Sequence, residues 1–467
     1  MEPVSNQQLL KRIASLVLEN KVLKEKNRIA VEAYRQIFNE LHKFRDQIEK
    51  VHLEHDDRQD VSVYHKTRFE TVTIMFAEIW GLSDVTTTDE NASEYIDKFD
   101  NYIIRFSDIA KKHNLVKLHS IGGNFVCAGG ISEKNIINPF TVILAAFEML
   151  HLVEDDMQNS EYPVVWSMNI GIHTGSVTAL VGGPANTNNY YELKGDAMND
   201  ASRIVSVGKK NTVTISGTTY ELVKELFECQ YISALPVKYR NKLGLYSVSG
   251  IKKEFADDDK RYFPNLEFRT KIMLVQFGDL QEFILDKLEK ELSEHLYYHN
   301  VKHTVDVVTQ CELIGWAESL NDHQLLLLKT AALFHDTGHT VSYARHEEIS
   351  VDIAREILPK YGYTAEEIEI VCRIIMATKL PPKPTDLLES IICDSDLDYL
   401  GRTDFVPVSN TLYAELKVQN PSLTLDDWNK LQVKFISSHQ YFTKTGRKLR
   451  NVKKQEQIER IKQLIIE

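Results

Sequence analysis

The periodicity of apolar residues changes near residue 250, and this change limits which folds the sequence can adopt. From residue 67 onward, strand patterns such as ETVTIMFAE alternate with helical patterns such as EYIDKFDNYIIRFSDIAKKH. From residue 276 onward, amphipathic helical runs follow one another without strand alternation. We therefore predict a multidomain protein with an α+β domain at residues 67–250, built on one sheet with helices on a single face, and an all-α domain at residues 276–450.

A third pattern occupies residues 1–53. Apolar residues recur there in steps of three and four over six heptads, which predicts a coiled coil. Asn20 and Asn27 fall at a positions, where a buried Asn favours a parallel dimer. The alternative is a single amphipathic helix lying on its own domain. We interpret residues 54–66 and 251–275 as linkers and residues 451–467 as a charged helical tail.

The composition is that of a soluble protein and argues against several other classes. The 467 residues are 43% hydrophobic and 26% charged. No run of eighteen apolar residues occurs and the chain opens with polar MEPVSNQQ, so we expect a cytoplasmic protein without a membrane span. Five scattered cysteines without a CxxC pair are typical of reduced core residues. A net charge of −12 argues against nucleic-acid binding.

Histidines and carboxylates concentrate in the helical region. His299 and His303 are four residues apart, which predicts that they project from one helix face. The apolar run LLLLKTAAL leads into LFHDTGH, which contains His335, Asp336 and His339. Because a buried ionisable pair requires compensation, this pattern indicates a metal ion. Nitrogen and oxygen donors suit Mn, Fe, Zn or Mg.

The ordered set of one His, an adjacent His-Asp pair and a later Asp resembles HD-family phosphohydrolases. The phrase YHNVKHT also resembles the opening motif of cyclic-nucleotide phosphodiesterases. The resemblance implies four metal ligands: His303, His335, Asp336 and Asp396. It implies that His299 is catalytic, as the proton donor to the leaving oxygen. His346 matches a position that binds a second metal in some HD subfamilies, although MATK stands where two-metal members keep another histidine. His339 either lines the site or caps a helix.

Five phrases in the α+β region resemble class III nucleotidyl cyclases in order and spacing: TIMFAEIWGLS, KLHSIGGNFVCAGG, NIGIHTGSV, YYELKGDAMNDASRIVS and VKYRNKLGLYSV. The resemblance implies a ferredoxin-like domain that uses Mg or Mn with a nucleotide. In that family two Asp residues hold two metal ions. Here those positions are Glu78 and Gly123, so one ligand is absent. The base-reading positions hold His119 and Glu192, which match neither the adenine nor the guanine pattern.

Other positions of the cyclase pattern are better preserved. Asn199 and Arg203, one helical turn apart, match the pair that binds ribose and the transition-state phosphate. The alternative for this pair is surface capping. Lys238 or Arg240 matches the triphosphate-binding lysine. Cyclase sites of this class form between two head-to-tail domains, so the resemblance implies a homodimer through the cyclase-like domain and the coiled coil.

The order of the two regions resembles bacterial proteins in which an adenylate/guanylate cyclase domain precedes an HD domain. We expect a second-messenger signalling protein whose HD domain hydrolyses a cyclic or other nucleotide phosphoester. Its dimeric cyclase-like domain would bind nucleotide as a regulator. Two alternatives are a bifunctional protein, whose cyclase works slowly through Glu78 and one metal, and a non-enzymatic nucleotide sensor.

Overall fold

A computed structural model describes residues 65–80, 92–118, 124–131, 135–158, 167–182, 190–236 and 242–465. The predicted coiled coil of residues 1–53 lies outside these ranges. Within them, no helix has both the length and the apolar character that crossing a membrane requires.

The first region is built on one mixed sheet. Its described strands are β1 (His65–Trp80), β2 (Val116–Lys117), β3 (Asn124–Gly129), β4 (Ser167–Gly182), β5 (Tyr190–Lys194), β6 (Thr212–Ser216), β7 (Phe227–Leu235) and β8 (Leu243–Ile251). They pair in the order β2-β3-β1-β4-β6-β8-β7, and β5 pairs with β4. The pair β4 and β6 is parallel, whereas β1 is antiparallel to both of its neighbours. The two long strands β1 and β4 lie next to each other in the interior of the sheet.

Helices cover both faces of this sheet. They are α1 (Ala92–Lys112), α2 (Asn138–Gln158), α3 (Asp196–Val207) and α4 (Gly217–Val223). Met75 and Ala77 of β1 pack in the core that includes α1 and α2, whereas Val72 and Ile74 pack with Ala197 of α3 on the opposite face. The prediction of helices on a single face was therefore wrong. Helical periodicity identifies the buried side of α3 but not the sheet face that it covers.

The chain after β8 is helical, which confirms the predicted change to an all-helical C-terminal region. Its α-helices are α5 (Leu266–Glu291), α6 (Val301–Ala317), α7 (Asp322–Phe334), α8 (His346–Ile357), α9 (Ala365–Met376), α10 (Leu387–Asp396), α11 (Phe405–Gln419), α12 (Leu425–Ser438) and α13 (Lys444–Lys462). Ile458 and Ile461 are buried, so the end of α13 packs on this domain.

Helix α5 contributes to two hydrophobic cores. Phe268 and Ile272, near its start, pack in the core of the sheet domain. Phe277 and Ile284, farther along, pack in the core of the helical domain. The helix begins at Leu266, inside the segment predicted as a linker. A single helix that is buried in both cores joins the two domains by packing.

Glu367 of α9 ties α5 to the helical domain. Its carboxylate accepts hydrogen bonds from Arg269 of α5 at 2.6 and 3.0 Å and from the Thr364 backbone N–H at 2.8 Å. His323 Nε2 lies 2.9 Å from the same carboxylate. Burial would raise the pKa of Glu367, but the hydrogen bonds from Arg269, Thr364 and His323 outweigh it and lower the pKa to about 2.

Replacing Glu367→Gln should lower the free energy of unfolding by about 1.5–3 kcal/mol, the usual contribution of hydrogen bonds to a charged group. The folded-state pKa of about 2 lies below the value of about 4.3 in an unfolded chain, so the native state binds fewer protons. The stabilisation is complete above about pH 4.3 and is lost as the pH falls toward about 2. Urea unfolding at about pH 7 and about pH 3 should show the difference between wild type and variant shrinking at the lower pH.

The exposed neighbour Glu366→Gln is the matched control and should leave the stability unchanged at both pH values. Equal stability of wild type and Glu367→Gln at neutral pH would contradict the role given to this ion pair.

Candidate functional site

An apolar helix carries His335 and Asp336 into the interior of the helical domain. Helix α7 begins with a capping box in which Asn321 and Gln324 satisfy each other's backbone N–H groups. The residues of its second half are almost all buried. At its end, His335 is 1% exposed and Asp336 is 7% exposed. The helix therefore delivers an ionisable pair to a place that water does not reach freely.

The turn after this pair is held against helix α8. Ser350 donates a hydrogen bond to the His335 carbonyl at 2.7 Å and accepts one from the Gly338 N–H at 2.8 Å. A Cβ atom on Gly338 would lie 2.0 Å from the His346 carbonyl oxygen, so only glycine allows this approach. The approach places His346 Nε2 3.7 Å from Asp336 Oδ1.

Two further side chains, one from each of two other helices, meet this pair. His303 Nε2, from α6, lies 3.1 Å from Asp396 Oδ1, at the end of α10, and 3.4 Å from Asp336 Oδ2. His335 Nε2 lies 3.2 Å from Asp336 Oδ2 and 3.3 Å from His303 Nε2. Donor atoms of His303, His335 and Asp396 all lie within 4.8 Å of one another, as the ligands of one metal ion would. The structure thus brings together all four side chains predicted as metal ligands.

The hydrogen bonds around this cluster fit a bound cation. His335 Nδ1 lies 2.8 Å from the Ala332 carbonyl oxygen, which only accepts, so Nδ1 carries a proton. When the imidazole is neutral, its lone pair is therefore on Nε2, the nitrogen that faces Asp336 and His303. Among the described residues, no group donates a well-formed hydrogen bond to the buried Asp336 Oδ2. Lone pairs and carboxylates that converge without donors require positive charge between them.

The carboxylates of the cluster attract positive charge to this point. Burial would lower the pKa of His335, but Asp336 and Asp396 outweigh it and raise that pKa well above the usual range. Burial would likewise raise the pKa of Asp336, but His335 and His303 outweigh it and lower that pKa. The carboxylate of Asp336 therefore stays ionised.

His299 lies just before helix α6, not within it. The helix begins at Val301, because the Asn300 side chain caps the backbone N–H groups of Lys302 and His303. The prediction that His299 and His303 share one helix face was therefore wrong. The two rings are nevertheless close, with centroids 5.8 Å apart.

Glu415 of α11 holds His299 in place, and the sequence did not indicate this residue. His299 Nδ1 is hydrogen-bonded to Glu415 Oε1, while Oε2 accepts from the backbone N–H groups of Tyr298 at 2.9 Å and His299 at 3.1 Å. Burial would raise the pKa of Glu415, but these partners outweigh it and lower that pKa. An ionised Glu415 accepts a hydrogen bond from Nδ1–H of His299. The other ring nitrogen, Nε2, is therefore the one that Glu415 does not engage.

Asp336 also belongs to a second group of donor atoms. Donor atoms of His299, Asp336 and His339 lie within 4.8 Å of one another. The His339 ring is 4.6 Å from that of His299 and stacks at 4.0 Å on that of His346. Burial lowers the pKa of His339 to about 3, so its imidazole is neutral. His339 therefore lines the cluster, which was one of the two alternatives open from the sequence.

In the sheet domain, Glu78 is the centre of a row of polar side chains. The register pairs Glu78 of β1 with Asn124 of β3 and with Asn169 of β4, so the three side chains share one face of the sheet. Neither amide oxygen of the two asparagines has a hydrogen-bond partner within the described ranges. The row offers one carboxylate and two neutral oxygens, which suits a cation weakly. Asn169 was not identified from the sequence.

The remaining cyclase-like positions are described only in part. Asn199 and Arg203 lie on the exposed side of α3, and Arg203 donates a hydrogen bond to the Pro236 carbonyl at 2.7 Å. Glu192 lies in β5. Four predicted positions lie outside the described residues: His119, Gly123, Lys238 and Arg240.

Two family sequence models match this chain. Residues 64–250 match the adenylate and guanylate cyclase catalytic domain, and residues 300–398 match the HD domain. Both resemblances drawn from the sequence are thereby confirmed at the level of the domains.

Individual relatives match smaller parts of the chain. Receptor-type guanylate cyclase gcy-13 of Caenorhabditis elegans is 27% identical over 201 residues, which cover 40% of this chain and 18% of the relative. Retinal guanylyl cyclase 2 of Rattus norvegicus is 31% identical over 170 residues, which cover 34% of this chain and 14% of the relative. The chain therefore spans less than a fifth of either relative.

Solved structures of cyclase domains also match. The guanylate cyclase domain of RhGC from Catenaria anguillulae in complex with GTP is 24% identical, with a TM-score of 0.35, over 40% of this chain and 100% of that one. The adenylyl cyclase CyaB from P. aeruginosa is 22% identical, with a TM-score of 0.36, over 40% of this chain and 98% of that one.

Replacing Asp336→Ala should abolish tightly bound metal, because this carboxylate lies beside His303 and His335 and also belongs to the group formed with His299 and His339. Inductively coupled plasma mass spectrometry of dialysed protein measures the metal content per chain. The matched control is Asp352→Ala, which removes an exposed carboxylate from the same domain and should keep the metal. Wild-type metal content in Asp336→Ala would contradict the ligand set.

Proposed function

We propose that this chain, in which an adenylate and guanylate cyclase catalytic domain precedes an HD domain, is a metal-dependent phosphohydrolase of nucleotide signalling. We place the hydrolysis in the HD domain. The main support for the proposal is that two imidazoles and two carboxylates lie close together inside the helical domain. Such a set is typical of a site that binds a divalent ion.

The residues divide into ligands and a proton donor. Four side chains would hold the ion, which we expect to be Mn, Fe, Zn or Mg: His303, His335 and Asp396, whose donor atoms converge, and Asp336, which lies beside both histidines. His346 and His339 are candidates for a second ion beside Asp336. A bound divalent ion neutralises phosphoryl charge and acidifies water. The protein itself fixes the positions of the donor atoms and keeps the surrounding site largely buried.

His299 is the residue that we assign to protonation of the leaving oxygen. Its Nδ1 is hydrogen-bonded to Glu415, so the ring orientation is fixed and Nε2 is the nitrogen available to a substrate. The lowered pKa of Glu415 keeps its carboxylate ionised and able to accept this hydrogen bond. Glu415 acts only through His299 and is therefore a positioning residue.

The cyclase-like domain fits a nucleotide-binding regulator better than an efficient cyclase. Glu78 is the one carboxylate in its row with Asn124 and Asn169, and Gly123 supplies no ligand. We propose that it binds nucleotide with Mg or Mn and that the protein is a homodimer through this domain and the coiled coil. Light scattering that shows a monomer at micromolar concentration would contradict the dimer.

Replacing His299→Ala should keep the metal and reduce turnover of substrates with poor leaving groups by about 10²–10⁴-fold, the usual contribution of a general acid. The loss should be much smaller for p-nitrophenyl phosphodiesters, because p-nitrophenolate leaves without protonation. Glu415→Gln should show the same dependence on the leaving group to a lesser degree. Steady-state kinetics on both substrate types measures the effect.

The exposed His295→Ala is the matched histidine control and should behave as wild type. Equal losses for good and poor leaving groups in His299→Ala would assign His299 to binding or to metal ligation. Loss of metal from this variant would support ligation.

The wild-type protein should convert ATP or GTP to a cyclic product very slowly. Gly123→Asp combined with Glu78→Asp should raise this rate by roughly two to three orders of magnitude, the usual effect of one electrostatic contact in a transition state. Mass spectrometry of the nucleotide products measures both rates. Rapid cyclisation by the wild type would make the bifunctional alternative correct, and absence of both activities would favour the sensor.

A further inference from the structure

We infer that the HD site acts on nucleosides that carry a single phosphoryl group, as a cyclic diester or a monoester, and that the nucleoside lies in a cavity beside the metal ligands. This inference rests on the proposed phosphohydrolase function and specifies its substrate. The cavity has a volume of about 300 Å³ and is bounded on one side by His303 and Asp396. Its size lies at the lower end of the range for small-molecule sites.

The walls of the cavity are aromatic and apolar. Tyr298 and Tyr399 lie in it with ring centroids 5.4 Å apart. Tyr297, which is 43% exposed, stands at its rim, and Val307 and Val408 line it. Aromatic faces and aliphatic side chains bind a base by stacking and apolar contact. The walls therefore suit a nucleoside better than an extended anionic chain.

Gln310 is a polar group placed to read a base edge. It lies on α6 seven residues after His303, which is two turns or about 10 Å along the helix. That separation is comparable with the length of an extended mononucleotide whose phosphoryl group is at the metal ligands. No protein group within the described part of the chain hydrogen-bonds the Gln310 amide. The amide can donate and accept, as recognition of a base edge requires.

The charges around the cavity explain the limit to one phosphoryl group. Arg402 donates to Asp404 at 2.6 and 2.8 Å and to Asp306 at 3.2 Å. Lys302 donates to Asp306 at 2.7 Å. Both cations are thus matched by carboxylates, and the described residues that line the cavity include no further Lys or Arg. A second or third phosphate lying in the cavity, between the nucleoside and the metal ligands, would be close to the carboxylates of Asp306 and Asp404. No unpaired cation would be there to bind it.

The first test compares substrates on the wild-type protein with Mn²⁺ present. Hydrolysis of bis(p-nitrophenyl) phosphate establishes the proposed function independently of any nucleoside. Nucleoside 3′,5′-cyclic monophosphates and 5′-monophosphates should then give a higher kcat/KM than the corresponding triphosphates. The neutral parent nucleoside, which lacks phosphate, should inhibit hydrolysis of the p-nitrophenyl ester competitively.

The second test uses Gln310→Ala. This variant should raise KM for the best nucleoside monophosphate substrate by about tenfold, the effect of losing one or two hydrogen bonds to a bound base. Its effect on kcat and on hydrolysis of bis(p-nitrophenyl) phosphate, which carries no base, should be much smaller than its effect on this KM. The control Gln419→Ala removes an exposed amide from the end of α11 and should change neither. Asp306→Asn removes a carboxylate that pairs with Lys302 and Arg402. It should therefore lower the ratio of kcat/KM for monophosphates to kcat/KM for triphosphates.

The outcomes separate this inference from the proposed function. Absence of p-nitrophenyl ester hydrolysis would refute the function and the inference together. Ester hydrolysis with a preference for triphosphates, without inhibition by any nucleoside, or with an unchanged nucleotide KM in Gln310→Ala, would overturn the inference alone.

Discussion

Two buried imidazoles facing one buried and one partly buried carboxylate are the arrangement on which the helical domain depends. An uncompensated cluster of this kind is costly, because each charged group has lost its water. Several local features serve to bring it together. Helix α7 is apolar along its buried second half, Ser350 fastens the turn after it, and Gly338 allows that turn to touch α8. Asn300 fixes the start of α6 and thereby the position of His303.

The two domains differ in the number of carboxylates that they place together for a metal ion. The HD cluster presents Asp336 and Asp396 with imidazoles around them. The row in the sheet domain presents Glu78 between two asparagines. Helix α5, which is buried in both cores, and its ion pair with Glu367 connect the domain with the weaker set to the domain with the stronger one. The proposed regulation of the HD cluster by nucleotide binding would act through this helix.

Features encoded by local spacing were predictable from the sequence, and features created by distant packing were not. The change from alternating strands and helices to helices alone is visible in periodicity, and the His-Asp pair is marked by the apolar run before it. Glu415 lies 116 residues from His299, and nothing in its own helix distinguishes it. Asn169 joins Glu78 only through strand register. Helices on both sheet faces, and the exclusion of His299 from α6 by the Asn300 cap, likewise depend on packing and capping that periodicity does not encode.

The central claim is that a divalent ion held by the HD cluster enables phosphoester hydrolysis. The most direct measurement strips the purified protein with a chelator, removes the chelator, and follows hydrolysis of bis(p-nitrophenyl) phosphate as Mn²⁺ is added back. We expect no turnover in the stripped protein and full recovery at a stoichiometric metal content. Full activity in protein shown to be free of metal would contradict the account.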